Sequence, residues 1–252
     1  MQVVRPNFVP HVQRGKMIMD GLIRCHTFHE NAGETVYDVS GNGRHLTYSG
    51  SVDVPDWTGS EKGTCLRIQD NSTWESTNED LSVYGTEGSI VVLGRLVPPV
   101  GVTGGVFVGF GGASSGFTFD GYWWMIAHVS GGEERLQTAG VSDNNVTATV
   151  NGLFSSDPFT GAYDSIAVTG DGTTLRQYIN GIQQTNTTPV GSGAYTWIGS
   201  ISLTAPVKMV VGGRYKSGAF SFEDGDFEIS EIRIYSRTLS SDELKLITAG
   251  LG

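Results

Sequence analysis

The sequence predicts an all-β chain: a two-sheet antiparallel jelly-roll sandwich with one short C-terminal helix. Three observations lead there. The 252 residues include 36 glycines, and Thr, Ser, Val and aromatic residues fill the spaces between them, a composition that favours short strands and tight turns. From Gly21 onward short apolar runs alternate with Gly, Asn, Asp and Pro, the spacing of a sandwich. Two turn dipeptides, Asp171-Gly172 and Asn180-Gly181, separate three such runs and mark consecutive hairpins.

Taken in order, residues 1–19 contain Pro6 and Pro10 and lack regular alternation, so an extended N-terminal arm is expected there, with a single domain over 20–252. Strands are expected at Leu22 to Phe28, Thr64 to Gln69, Ser89 to Leu96, Val106 to Phe110, Trp123 to His128, Asp164 to Thr169, Leu175 to Ile179, Val207 to Val211 and Glu228 to Tyr235. The Asn180-Gly181 pair suits a type I′ turn, because both residues tolerate positive φ. The helix begins at Ser240, which has Glu243 three residues later as a capping box, and Leu244, Leu246 and Ile247 supply an apolar face. It should lie on the sandwich as a short lid.

The formal net charge of -10, with 16 Lys and Arg spread along the chain, argues against nucleic acid as a partner, since phosphate neutralisation needs clustered cations. No run approaches the roughly 20 apolar residues that a membrane-spanning helix needs, so membrane insertion is not expected. The first 19 residues carry Arg5, Arg14 and Lys16 without an apolar stretch, so no export signal is expected. Cys25 and Cys65 are too few for a disulfide scaffold and read as buried thiols; a bridge between them would need adjacent strands.

Enzyme motifs give little. Gly112-Ala113-Ser114-Ser115-Gly116 has the spacing of a nucleophile elbow but sits in a glycine-rich stretch rather than between a strand and a helix. His26 and His29 fall on opposite faces of a regular strand and cannot share a metal. His11, His45 and His128 form no constellation, and no Glu-x-Asp-x-Glu string marks a glycosidase strand. Asn71, Asn145 and Asn186 open Asn-x-Ser/Thr triplets that count only after export.

Three separated stretches resemble the laminin-G-like domain, a branch of the concanavalin-A-like superfamily. Gly21 to Phe28 followed by Asp38-Val39-Ser40-Gly41-Asn42-Gly43 resembles the family's opening strand and turn. Tyr163 to Thr169, Asp171-Gly172 and Leu175 to Gly181 resemble its central hairpin. Ile229 to Tyr235, Arg237, Leu239-Ser240 and Glu243 resemble its closing strand and helix cap. One departure is that Phe227 and Ser230 stand where the family often carries a small residue and an acidic pair. Calcium is the cofactor this resemblance implies, with Asp38, Asn42 and Glu231 as ligands; the same Asp-x-Ser-Gly-Asn-Gly string also reads as an ordinary hydrogen-bonded turn. Glu223, Asp224, Asp226 and Glu228 form either a second cation site or a solvated acidic loop.

Sandwich lectins stack sugars on aromatic rings. Trp123, Trp124 and Trp197 are the candidate platform, with Trp57, Trp74 and Tyr195 also available. Trp123 and Trp124 are neighbours on a strand, so only one can fill the core. The expected role is a non-catalytic structural or adhesion module of a virion, as in phage head-decoration, tail or fibre proteins. It would be made in the host cytoplasm, dock other virion proteins through residues 1–19, and homo-oligomerise or bind cell-surface glycans. The alternatives are an extracellular carbohydrate-binding module and, last, a polysaccharide-cleaving enzyme.

Overall fold

The computed structural model describes residues 18–49, 56–60, 63–69, 72–97, 105–112, 122–130, 133–141, 151–159, 162–185, 197–201, 207–216, 219–222 and 226–250, some strand positions by backbone alone. The N-terminal half supplies β1 (Leu22–His26), β2 (Thr35–Val36), β3 (Leu46–Tyr48), β4 (Asp56–Ser60), β5 (Gly63–Ile68), β6 (Trp74–Ser76), β7 (Gly88–Leu96), β8 (Val106–Gly112) and β9 (Tyr122–Ser130). The C-terminal half supplies β10 (Glu133–Val141), β11 (Asn151–Pro158), β12 (Asp164–Gly170), β13 (Leu175–Ile179), β14 (Ile182–Gln183), β15 (Val207–Val211), β16 (Gly213–Lys216), β17 (Ala219–Phe222) and β18 (Phe227–Tyr235), then α1 (Ser241–Gly250).

Two eight-stranded antiparallel sheets form the sandwich. One runs β14-β13-β12-β7-β18-β5-β4 with β1 also on β18; the other runs β11-β10-β9-β8-β15-β6-β3-β2. The expected jelly-roll class stands. All nine expected strands form, and the two turn dipeptides join β12, β13 and β14 as read from the sequence. Asn180 and Gly181 have φ of 53° and 73°, as the primed turn requires. Residues 1–17 of the expected arm, and the elbow-like residues 113–116, lie outside the described residues.

The core lies between the sheets. Ile90, Val92, Leu66, Ile166, Ile232 and Ile234 from one sheet meet Phe107, Phe110, Trp123, Met125, Leu136 and Met209 from the other. Gln177 on β13 crosses this layer, its Nε2 donating to Thr138 Oγ1 (2.9 Å) and the Leu136 carbonyl (3.3 Å) on β10. The central strand β7 does not alternate apolar with polar because both its faces are covered. Ile90 and Val92 face the core, while Val91 joins Ala167, Tyr178 and Tyr235 beneath Leu239, Leu244 and Ile247 of the C-terminal segment. The helix is thus the expected lid. Its start is the expected capping box, Glu243 N–H donating to Ser240 Oγ (3.3 Å) and Ser240 N–H to Glu243 Oε2 (2.9 Å).

Ser230, conspicuous in the sequence as a departure, is a β-bulge. Ile229 pairs with Gly94 and Glu231 with Leu93, leaving Ser230 as the extra residue. The bulge lets Ile229 and Ile232, three apart, both enter the core.

Candidate functional site

The Asp38-to-Gly43 turn closes one rim of the sandwich. Asp38 Oδ1 accepts the N–H groups of Cys25 (3.0 Å) and Ser40 (3.0 Å), and Oδ2 accepts the Arg44 N–H (3.0 Å). Burial opposes ionisation of this carboxyl, but the donors from Arg44, Ser40 and Cys25 outweigh it and hold its pKa below the usual carboxylate range. Gly41 and Gly43, at φ of 93° and 69°, give the chain the left-handed backbone it needs to fold back. Asn42 then fastens the turn to β1, its Nδ2 donating to the carbonyls of Ile23 (2.9 Å) and Leu22 (3.3 Å) and to Ser40 Oγ (3.1 Å).

These residues do not fit a calcium ion. Both Asp38 oxygens face N–H donors, and the Asn42 amide presents its NH₂ to the rim. Glu231, facing away from the core, is ion-paired with Arg233 and approached by the Cys25 thiol at 3.9 Å. Calcium needs six or more oxygens converging on one point, whereas here donors converge on the oxygens. Among the described residues no group of three or more His, Cys, Asp and Glu side chains could hold a metal. The turn reading of the string is the one the geometry matches. In the acidic group, Asp226 pairs with Arg67 and Glu228 with Arg95, while Glu223 and Asp224 lie outside the described residues.

Beneath the turn lies a buried charge network. Glu79, 1% exposed, is ion-paired with the equally buried Arg24 and with Arg44 (3.2 Å), and its Oε2 accepts the Tyr84 hydroxyl (2.9 Å). Arg24 NH1 also reaches the Met209 sulfur (3.1 Å). The network therefore bridges the sheets, from β1 to Glu79, which itself bridges to Val207 of β15. Next to it His26 is fully buried; burial and the neighbouring Arg24 charge push its pKa down to about 3, so its imidazole is neutral in the core.

Above the network opens a groove of about 280 Å³, lined by Met19, Leu22, Asn42, Arg44, Val83 and Ser236 together with Gly21 and Ile23. Arg44 spends NH1 on Glu79, and its side chain is 27% exposed at this groove. The Asn42 side chain donates through Nδ2, which leaves its Oδ1 as an acceptor at the same edge. A guanidinium, an amide oxygen and a hydroxyl thus stand beside the apolar surfaces of Met19, Leu22 and Val83.

The tryptophan platform is not assembled. Trp123 and Trp197 are 0% and 1% exposed, packed edge-to-face at 5.8 Å, with Trp197 Nε1 donating to the Tyr84 carbonyl (3.0 Å). Neither ring offers an open face, because each fills core volume between the sheets. Trp124 lies on β9 next to Trp123, and its side chain lies outside the described residues. Trp74 is also fully buried, and Trp57 packs against it at 5.7 Å. Arg24, Arg44, Glu79 and Val83 were missed in the sequence. The one available signal was an arginine inside the apolar run Leu22-Ile23-Arg24-Cys25, which implies a buried counterion.

A family model described as the concanavalin A-like lectin/glucanases superfamily matches residues 99–245. No curated protein matches by sequence at a significant level. Among solved structures, the chain is similar to the binding domain of botulinum neurotoxin DC in complex with rat synaptotagmin II (TM-score 0.64, 14% identity, 94% of this chain and 53% of that one). It is likewise similar to the binding domain of Paraclostridial Mosquitocidal Protein 1 (0.61, 13%, 92% and 52%). A third is domain 4 of an extracellular arabinanase from Geobacillus stearothermophilus in complex with arabinotriose (0.60, 16%, 90% and 98%). The chain spans about half the length of the two toxin domains. At these identities the likeness establishes the fold.

Proposed function

Because the chain belongs to the concanavalin A-like lectin/glucanases superfamily, we propose that it is a non-catalytic carbohydrate-binding module whose ligand enters the rim groove between the Asp38-to-Gly43 turn and Val83. The observation that carries this reading is the groove's lining: Asn42 Oδ1, Arg44 and Ser236 for hydroxyl groups, with Met19, Leu22 and Val83 for C–H surface. Its volume, about 280 Å³, lies at the lower end of small-molecule sites, roughly 300 to 1,000 Å³, and suits a single sugar unit of a longer glycan. Of the similar structures, the two toxin domains are binding domains, one of them solved with rat synaptotagmin II, and the arabinanase domain was solved with arabinotriose. The nearby carboxylates support binding over hydrolysis: Asp38 is occupied by three N–H groups and Glu79 by two arginines and a tyrosine, so neither is placed as an acid or base.

We place this activity on a virion attachment protein, docked through residues 1–19 and presenting the groove to cell-surface glycans. The end of the arm also forms part of the site: Met19 lines the groove and Ile18 packs against the apolar layer under the helix.

A glycan array tests the binding claim. The wild-type chain should bind a definable subset of glycans, and Arg44→Ala and Met19→Ala should each weaken that binding about tenfold or more. A chain that binds nothing on the array at high concentration, or binds equally well with both substitutions, overturns it.

A further inference from the structure

His26 ends β1 and is 0% exposed. It shares a face of the strand with Arg24, two positions back, while Cys25 between them joins the apolar layer under the helix. Neither nitrogen of the His26 ring has a hydrogen-bond partner, and Arg24 Nε has none either. The Phe28 ring stands beside the imidazole, centroids 6.3 Å apart. A proton on this ring would place a second buried cation next to Arg24, whose partner Glu79 is already shared with Arg44 and the Tyr84 hydroxyl.

The two neighbours of His26 are held with different strength. β1 is tied to β18 by four cross-strand pairs. The Asp38-to-Gly43 turn is tied to β1 by an isolated bridge, Asp38 to His26 itself, and by scattered bonds: Val39 N–H to the Cys25 carbonyl (2.8 Å), Cys25 N–H to Asp38 Oδ1 (3.0 Å), Ser40 Oγ to the Ile23 carbonyl (3.1 Å) and the Asn42 amide. A segment without a ladder opens at lower cost than a strand inside a sheet. Water therefore reaches His26 by lifting of this turn, and the lifted turn carries Asn42 and Arg44 away from the rim groove that they line.

We propose that His26 is an acid-sensitive latch: by taking up a proton in the lifted form it keeps the Asp38-to-Gly43 turn from closing, and so dismantles the rim groove as pH falls. The latch stands on the surroundings of His26; its effect on a ligand rests on the groove reading above. The groups that face the ring are Arg24 from β1 and, from the segment bridged to it, the Asp38 carboxylate, the Tyr37 backbone and His45, with Glu79 and Tyr84 behind Arg24. Burial and then the Arg24 charge oppose a proton, and His45 adds to them; Asp38 and the Tyr37 backbone favour one and are outweighed, which leaves the closed form at about 3 against an ordinary 6.5. Because the closed-form pKa is the lower one, the turn's stability is full above about pH 6.5 and declines as pH falls below it. With one proton linked to opening, a small open fraction rises about thirtyfold between about pH 7.5 and pH 5. Asp38, held below the usual carboxylate range, stays ionised over that span. Glu30, which accepts the Tyr37 N–H (2.8 Å) and is pushed up by burial, tempers the response.

Amide hydrogen exchange followed by NMR, corrected for the intrinsic pH dependence of exchange, tests the latch. Protection of the Val39, Ser40 and Arg44 amides should fall about thirtyfold from about pH 7.5 to pH 5, while amides of β7 change less than about threefold. His26→Leu should remove the fall and His45→Gln should keep it. Protection of the turn that is flat with pH, or that falls equally in His26→Leu, overturns the proposal. Where His26→Leu does not fold, the wild-type ring decides: its resonances should stay those of neutral imidazole in the closed protein, and a ring that titrates near pH 6.5 while the turn remains protected overturns the latch. A chain that shows this exchange pattern but binds no glycan would overturn the groove reading and leave the latch standing.

Discussion

Replacing Glu79 with glutamine removes the carboxylate that pairs with both Arg24 and Arg44 while keeping the side chain's shape. Arg24 and Glu79 are each 1% exposed, so the substitution strands a guanidinium in the core with a sulfur and no carboxylate for company. Breaking a buried ion pair from one side costs about 3–5 kcal/mol, because the remaining charge stays desolvated. For a chain of this size each kcal/mol lowers Tm by about 2–4 °C, which gives a fall of about 6–20 °C. Urea denaturation and differential scanning calorimetry measure both quantities. A loss below about 1 kcal/mol, the range of solvent-exposed pairs, would refute the claim that the network is buried and bridges the sheets. A companion variant sharpens the point: Arg24→Met with Glu79→Leu removes both charges, and it should recover most of the stability, since well-packed apolar replacements of buried pairs are often neutral.

Gly88→Ala should destabilise by about 1–3 kcal/mol through overpacking: a Cβ there would lie 2.3 Å from the Trp197 ring and 2.6 Å from the Tyr235 carbonyl oxygen, and urea titration reads the loss. Acid should weaken the helix cap, because the Arg237 guanidinium holds the Glu243 carboxyl at about 2 against an ordinary 4.5. Its folded-state pKa is depressed, so its contribution is present above about pH 4.5 and is lost as pH falls toward 2; Glu243→Gln should flatten that part of a stability-against-pH profile. Both thiols are fully buried, and burial pushes Cys25 up to about 12, so neither should react with a thiol-specific dye at pH 8 until denaturant is added. Chelation by EDTA should leave Tm unchanged; a drop of several degrees would restore the calcium reading of Asp38 and its neighbours.

The strands legible in the sequence are those of the sheet interior, where Ile and Val dominate and turn residues flank them, as in β7, β12 and β15. Those that went unread are short, polar or at an edge. β10 begins Glu133-Glu134-Arg135 and β11 ends Ser155-Ser156-Asp157-Pro158, yet the two pair with each other at the rim of their sheet. β16 and β17 flank a Ser217-Gly218 dipeptide, a turn signal that reading for hydrophobic runs passed over. The site was half legible. The Asp-x-Ser-Gly-Asn-Gly string marked the rim that carries the proposed groove, because its geometry is local and encoded by Asx and glycine chemistry. Its partners were not legible: Glu79 stands 55 residues from Arg24 and Val83 further still, and only the closing of one sheet over the other brings them together. The tryptophans misled for a simple physical reason. A large ring is the best sugar platform when exposed and the best core filler when buried, and sequence alone does not separate the two.

The central claim is that ligand enters the rim groove, and chemical-shift mapping of ¹⁵N-labelled protein with the strongest array glycan tests it most directly. The account predicts that the largest shifts fall on the amides of residues 21–23, 42–44, 83 and 236. Saturable shifts confined to residues away from the rim, with the rim residues unmoved, would contradict it.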